Sequence, residues 1–160
     1  MAILLYRVDE RLIHGQVLVS WGAKFQPQWI IVVDDQLATS TWEQELYALG
    51  LPEDLEVTFA NVADARVRLP QWRADARRSL LLVRDLETMR GLARGGALSG
   101  ERVNIGGIHY AAGRERVLPY VFLSAADRAM LEQIAAENVA VVAQDLPGSK
   151  AVALADLLRP

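Results

Sequence analysis

The chain has 160 residues, enough for one domain with a substantial core and too few for two, so 1–160 is read as a single domain. Its 17 Lys and Arg against 20 Asp and Glu leave a net charge of -3, which gives no basis for nucleic acid as the main partner. With no cysteine it has neither disulfides nor thiolate chemistry, which is compatible with a reducing cytoplasm, and no apolar run approaches the ~18 residues that cross a bilayer.

Ala2 to Tyr6 reads as a buried strand. The segment from Met1 to Tyr6 is too short, and lacks the preceding basic residues, for an export signal. A polar stretch, Arg7-Val8-Asp9-Glu10-Arg11-Leu12-Ile13-His14-Gly15-Gln16, forms the turn at the strand's carboxyl end. Val17, Leu18, Trp21 and Phe25 then mark one face of a helix that opens near Gly15 and stops before Pro27. Trp29 to Val33 is a continuous apolar strand ending in Asp34-Asp35. Ser40-Thr41-Trp42-Glu43 fits a capping box, with Trp42, Leu46 and Leu49 expected on the buried face of the helix and Gly50 as its stop. Leu55 to Ala60 is expected nearer the sheet edge.

Asn61 can cap the next helix, with Val62, Ala65 and Leu69 inward, until Pro70 interrupts it. Arg66, Arg68, Arg73, Arg77 and Arg78 make this region basic, either as a solvated face or as a docking patch. Ser79 to Val83 is another buried strand, followed by a helix with Leu86, Met89 and Leu92 inward that ends at Arg94-Gly95-Gly96. Arg102 to Gly106 is a further strand, and Pro119 makes Val117 to Leu123 an edge strand or a broken one. Ser124 caps a helix carrying Met130, Leu131 and Ile134. Val139 to Ala143 is taken as the last strand and Ala151 to Leu158 as a short closing helix.

Strands alternating with helices imply right-handed crossovers and a doubly wound α/β fold: one mostly parallel sheet with helices on both faces. Function in such a sheet gathers at the carboxyl ends of the strands, which here collects His14, Asp34, Asp35, Arg84, the loop from Gly106 to His109 and the turn from Gln144 to Gly148.

His14 and Gly15 fall at a helix start, where unpaired N–H groups and the helix dipole favour an anion, and Arg11 and Arg7 supply planar donors nearby. This combination suits a histidine that carries a phosphoryl group. From spacing alone, a single histidine beside a glycine at a helix start is more often a capping or packing residue. Asp9 can orient Arg11 or the imidazole, or cap the helix; Asp34 and Asp35 can exclude water or simply form a turn. His109 can line the site without being phosphorylated itself. Two distant histidines make a poor ligand set, so no metal and no cofactor are expected.

The decapeptide with Val17 closely resembles the N-terminal motif of the IIB component of the mannose/fructose/sorbose class of bacterial sugar phosphotransferase systems. Asn104-Ile105-Gly106-Gly107-Ile108-His109-Tyr110 resembles the family's glycine-pair loop, Val117-Leu118-Pro119-Tyr120-Val121 the segment after it, and Gln144-Asp145-Leu146-Pro147-Gly148 its C-terminal turn. Glu10 stands where many members have a second aspartate. The resemblance implies a phosphocarrier that accepts a phosphoryl group on Nδ1 of His14 from a phosphohistidine of a IIA partner and passes it to a sugar through membrane IIC and IID components. It further implies a cytoplasmic protein held at the inner face of the membrane through those partners, with a homo-oligomer left open.

Arg11 and the N–H groups of Gly15 and Gln16, with Arg7, are the candidates for stabilising the phosphoryl charge. Two rivals stand beside this reading. One is a regulatory phosphoacceptor that passes nothing to a sugar. The other is a nucleotide- or anion-binding α/β module, against which the first strand is followed by neither G-x-G-x-x-G nor G-x-x-x-x-G-K-[ST].

Overall fold

The computed structural model describes residues 3–159, so the expected start of the first strand at Ala2 lies outside the described residues. In chain order the strands and α-helices are β1 (Ile3–Val8), α1 (Gly22–Phe25), β2 (Trp29–Val33), α2 (Thr41–Leu49), β3 (Glu56–Ala60), α3 (Val62–Ala74), β4 (Ser79–Val83), α4 (Leu86–Ala93) and β5 (Arg102–Ile105), followed by β6 (Glu115–Leu118), β7 (Val121–Leu123), α5 (Ala125–Ala136), β8 (Ala140–Ala143), β9 (Val152–Ala153) and α6 (Leu154–Leu158). A π-helical turn, Val17–Trp21, leads into α1.

Seven strands form one sheet in the order β3-β2-β4-β1-β5-β8-β9, all parallel except β9, which runs antiparallel to β8. Because β2 and β4 are covered on both faces they read as unbroken apolar runs. Ile31, Val33, Leu81 and Val83 enter one core with Leu69, Met89, Leu131 and Ile134 of the helices. Ile30, Val32, Leu80 and Leu82 enter the other with Leu12, Val17 and Trp21. The chain leaves β1 toward one edge of the sheet, returns to β4, and crosses to the opposite side of β1 at β5. The loops after β1 and β5 therefore meet at the point where strand order reverses, the usual place for a site in such a sheet.

Several sequence expectations are corrected. Trp42, Leu46 and Leu49 are 68%, 63% and 81% exposed, and α2 packs on the core through Tyr47 instead. The Ser40–Glu43 capping box does not form, since a 3-10 turn at Leu37–Thr39 runs straight into α2 and Ser40 gives no side-chain cap. Pro70 does not end α3, because the next turn buries Trp72, which packs edge-on against Trp29 6.1 Å away. Pro119 does break its segment, leaving β6 and β7 as an antiparallel hairpin outside the main sheet. A two-residue strand, β9, follows the one expected to be last, so the closing helix starts only at Leu154.

Candidate functional site

The loop after β1 is built on a tight turn. The Leu12 N–H donates to the Asp9 carbonyl at 2.9 Å, and Leu12 takes a left-handed φ of 54° that leucine rarely adopts. That conformation costs on the order of 1 kcal/mol or more. Complete burial of the Leu12 side chain, worth about 1.5–3 kcal/mol, offsets it. The turn delivers His14 to the start of the helical stretch 15–25, where its carbonyl accepts the first helical bond, from Leu18 N–H at 3.0 Å. The N–H groups of Gly15 and Gln16 thus belong to the first turn, which has no acceptors of its own. The π turn then carries Val17 and Trp21 fully into the core, with Leu18 and Phe25 partly buried behind them.

Asp9 lies at the centre of the site and is completely buried. Its Oδ1 accepts from Arg11 N–H at 3.1 Å and Arg11 Nε at 3.2 Å, and its Oδ2 from Arg11 Nη2 at 3.3 Å and Arg7 Nη2 at 3.4 Å. His14 Nε2 lies 3.3 Å from Oδ2, while the imidazole side chain remains 14% exposed. Burial by itself would push the Asp9 carboxyl up. The contacts from His14 and Arg11 and the charge of Arg7 outweigh it and hold Asp9 well below the usual carboxylate range. Nε2 is thus turned to the Asp9 carboxylate, an orientation that favours the tautomer with the proton on Nε2 and the lone pair on Nδ1.

The two arginines do different work. Arg11 is 40% exposed and also donates through Nη2 to Gln16 Oε1 at 3.0 Å, so it bridges Asp9 to the helix start. Arg7, expected to hold phosphate, is wholly buried. Its Nη1 donates to Asn104 Oδ1 and to the Gln144 carbonyl at 2.8 Å, and its Nη2 to the Asp145 carbonyl at 3.2 Å. Its guanidinium also lies 5.1 Å from the centre of the Trp21 ring, and Trp21 Nε1 donates to the same Asp145 carbonyl at 3.2 Å. Arg7 therefore ties β1, β5 and the 144–145 turn together beneath the site. Gly106 is required by this arrangement, because a Cβ there would overlap the Arg7 guanidinium.

The loop after β5 closes the other side. Glu10 N–H donates to the Gly107 carbonyl at 2.9 Å, and the His109 N–H donates to Glu10 Oε1 at 3.1 Å. His109 Nδ1 sits 3.2 Å from Glu10 Oε2, and Arg114 Nη1 donates to Glu10 Oε1 at 3.0 Å. Arg114 Nε reaches on to Asp127, the capping-box residue of α5, at 2.9 Å. Sequence reasoning placed the turn from Gln144 to Gly148 at the site but missed Arg114 and Trp21 as its supports, and did not foresee that Asn104 and the Gln144 and Asp145 carbonyls hold Arg7.

Asp34 and Asp35 are not brought to the imidazole. Asp34 accepts from Leu37 N–H at 2.9 Å and Arg84 Nε at 3.3 Å, and Asp35 accepts from Val62 N–H at 2.8 Å, so both fix turns and helix starts. Of the arginines of the basic region, Arg66, Arg73 and Arg77 are paired within the fold, whereas Arg68 and Arg78 are exposed. Arg66 donates to the Gly91, Leu92 and Arg94 carbonyls, Arg73 pairs with Glu101 at 2.6 Å, and Arg77 pairs with Asp75 and Glu56 while lying over Trp29. No group of metal-binding side chains occurs among the described residues, and none of the described helices is long and apolar enough to cross a membrane.

The sequence matches the family described as PTS system sorbose subfamily IIB component across residues 3–160. It is 31% identical over 156 residues to the N-acetylgalactosamine-specific phosphotransferase enzyme IIB component 2 of Escherichia coli (strain K12), covering 98% of each chain. It is 27% identical over 161 residues to the PTS system mannose-specific EIIAB component of the same organism, covering 99% of this chain and 49% of that one. Among solved structures, manxB from Thermoanaerobacter tengcongensis superposes with a TM-score of 0.86 at 29% identity, over 98% of this chain and 94% of the other.

Proposed function

Because the chain belongs to the PTS system sorbose subfamily of IIB components, phosphocarrier subunits in sugar uptake, we propose that His14 is the residue that carries the phosphoryl group and that Nδ1 is the nitrogen that bears it. The single observation behind this is the pairing of Nε2 with buried Asp9 at 3.3 Å, which leaves Nδ1 as the nucleophile on a partly exposed ring. The donor is a phosphohistidine of a IIA protein or domain, a reading supported by the fused EIIAB name of the mannose relative.

In the first transfer, Nδ1 attacks phosphorus in line as the N–P bond of the donor breaks. Charge spread over the phosphoryl oxygens is met by Arg11 and the N–H groups of Gly15 and Gln16. Asp9 keeps the Nε2 proton in place and stabilises the ring as it becomes more positive. In the second transfer a sugar hydroxyl attacks phosphorus, the P–N bond breaks, and its electron pair returns to Nδ1. Sugar recognition belongs chiefly to membrane IIC and IID components, and residues 1–160 act as one IIB domain. Arg7 acts beneath this chemistry as a positioning residue.

Incubation with a phosphorylated IIA protein, followed by mass spectrometry of the peptides, tests the assignment. The acid-labile label falls on His14 and is lost in His14→Ala; full labelling of that variant would overturn the proposal.

A further inference from the structure

Arg114 is placed by a tight turn. Gly113 takes a left-handed φ of 85°, which glycine adopts without strain, and the Arg114 N–H donates to the Ala111 carbonyl at 3.0 Å. The Arg114 side chain then lies between two carboxylates from distant parts of the chain. Its Nε donates to Asp127 Oδ2 at 2.9 Å, and its Nη1 donates both to Glu10 Oε1 and to the His109 carbonyl at 3.0 Å. Asp127 is buried and is itself fixed at the start of α5, where the Ser124 N–H donates to the same Oδ2 at 2.9 Å. Glu10 stands in sequence between Asp9 and Arg11, the two residues that face each other beside His14. Its own N–H is engaged by the Gly107 carbonyl at 2.9 Å, so the Asp9–Arg11 segment is anchored to the 107–114 loop through Glu10.

From this geometry we infer that Arg114 is a positioning residue for phosphoryl transfer: by tying Glu10 to the first turn of α5 it holds Asp9 and Arg11 in place beside His14. The inference rests on the carrier role proposed for His14. Arg114 acts through Glu10, and no bond is made or broken at it. The planar fork is what this position requires, because Nε serves α5 while Nη1 serves Glu10 and the loop. The Arg114 and Glu10 side chains are 23% and 27% exposed, and pairs open to solvent to that degree add little to overall stability. Loss of the link therefore registers in the geometry of the site before it registers in unfolding. A displacement of about 1 Å at a reacting centre is enough to cost on the order of 100-fold in rate, so a modest slackening of this segment is measurable.

The test follows single-turnover transfer from a phosphorylated IIA protein to the full chain at rising donor concentration, which separates docking from the transfer step. Arg114→Ala and Glu10→Ala each lower the saturating rate by about 10-fold, while the half-saturating donor concentration stays within about 2-fold of the parent. The double variant is no slower than the worse single one, because each substitution removes the same link. Arg114→Lys is slowed nearly as much as Arg114→Ala, whereas a residue acting only as a distant cation would lose nothing on that change. Glu10→Ala is the independent arm: it leaves the Arg114–Asp127 contact in place and keeps the parent melting temperature to within a few degrees. Parental saturating rates in Glu10→Ala and Arg114→Lys overturn the inference alone, as does a change confined to the half-saturating concentration. A parent chain that takes phosphate elsewhere and not on His14 overturns the carrier reading, and the inference with it.

Discussion

Asp9 Oδ2 stands 3.3 Å from His14 Nε2, and the same buried carboxylate accepts three N–H groups of Arg11. One side chain thus faces the imidazole nitrogen and sets the aim of the guanidinium. Asp9→Asn keeps the shape but removes the charge, leaving Arg7 buried without its carboxylate. The expected loss is about 3–5 kcal/mol in urea unfolding, the cost of breaking a buried pair, together with a fall of at least ~100-fold in phosphoryl transfer at a pH where the variant is still folded. Transfer at the parental rate in the folded variant would remove Asp9 from the account.

The low Asp9 value also fixes a pH dependence. A carboxylate whose folded pKa lies below its unfolded value of about 3.9 contributes stability that is fully present above that value. The contribution is lost as pH falls from there through the folded pKa. The stability difference between the parent and Asp9→Asn is therefore flat from pH 7 to about 5 and shrinks below about 4. A difference that shrinks between pH 6 and 7 instead would point to a histidine as its source.

Arg11→Lys keeps the charge but cannot donate to both Asp9 oxygens and Gln16 through a planar fork. Transfer slows by about 10-fold or more, and the melting temperature changes little because Arg11 is substantially exposed. Equal rates in stopped-flow transfer from a phosphorylated donor would show that the fork geometry is dispensable.

Gly106→Ala drives a methyl group into a guanidinium that Asn104 of β5 and the 144–145 turn hold in place. Overpacking of this kind costs about 1–3 kcal/mol, and here it also disturbs the Arg7–Asp9 contact. Calorimetry is expected to show a clear drop in melting temperature; a neutral result would mean that the turn at 144–145 moves aside freely.

Trp42→Ser and Leu46→Gln on α2 are expected to change unfolding free energy by no more than about 0.5 kcal/mol, because both side chains face outward. A loss of 2 kcal/mol or more in either would restore them to the core.

That last pair shows where sequence patterning stops. Helical spacing of Trp42, Leu46 and Leu49 identifies an apolar stripe but not what the stripe faces, and the helix packs on the core through partly buried Tyr47 instead. The strands β2 and β4 were legible because burial on both faces leaves no polar interruption, and Asn61 and Ser124 were legible as caps because their side chains do bond Asp64 N–H and Asp127 N–H. Pro70 misled because the rule for a proline inside a helix omits tertiary burial of the following turn, here at Trp72. Arg7 misled for a related reason: beside a reactive histidine a cation reads as an anion contact, whereas its acceptors lie far along the chain at Asn104, Gln144 and Asp145. His14, Arg11 and Asp9 share one loop, so their proximity was visible in order along the chain. The approach of His109 to that loop depends on the pairing of β1 with β5, which no local pattern reveals.

The most direct test of the account is long-range proton–nitrogen NMR of the phosphorylated chain, which identifies the ring nitrogen that bears phosphorus. The account predicts phosphorus on Nδ1 of His14, with Nε2 still protonated against Asp9. Phosphorus on Nε2, or on any residue other than His14, contradicts it.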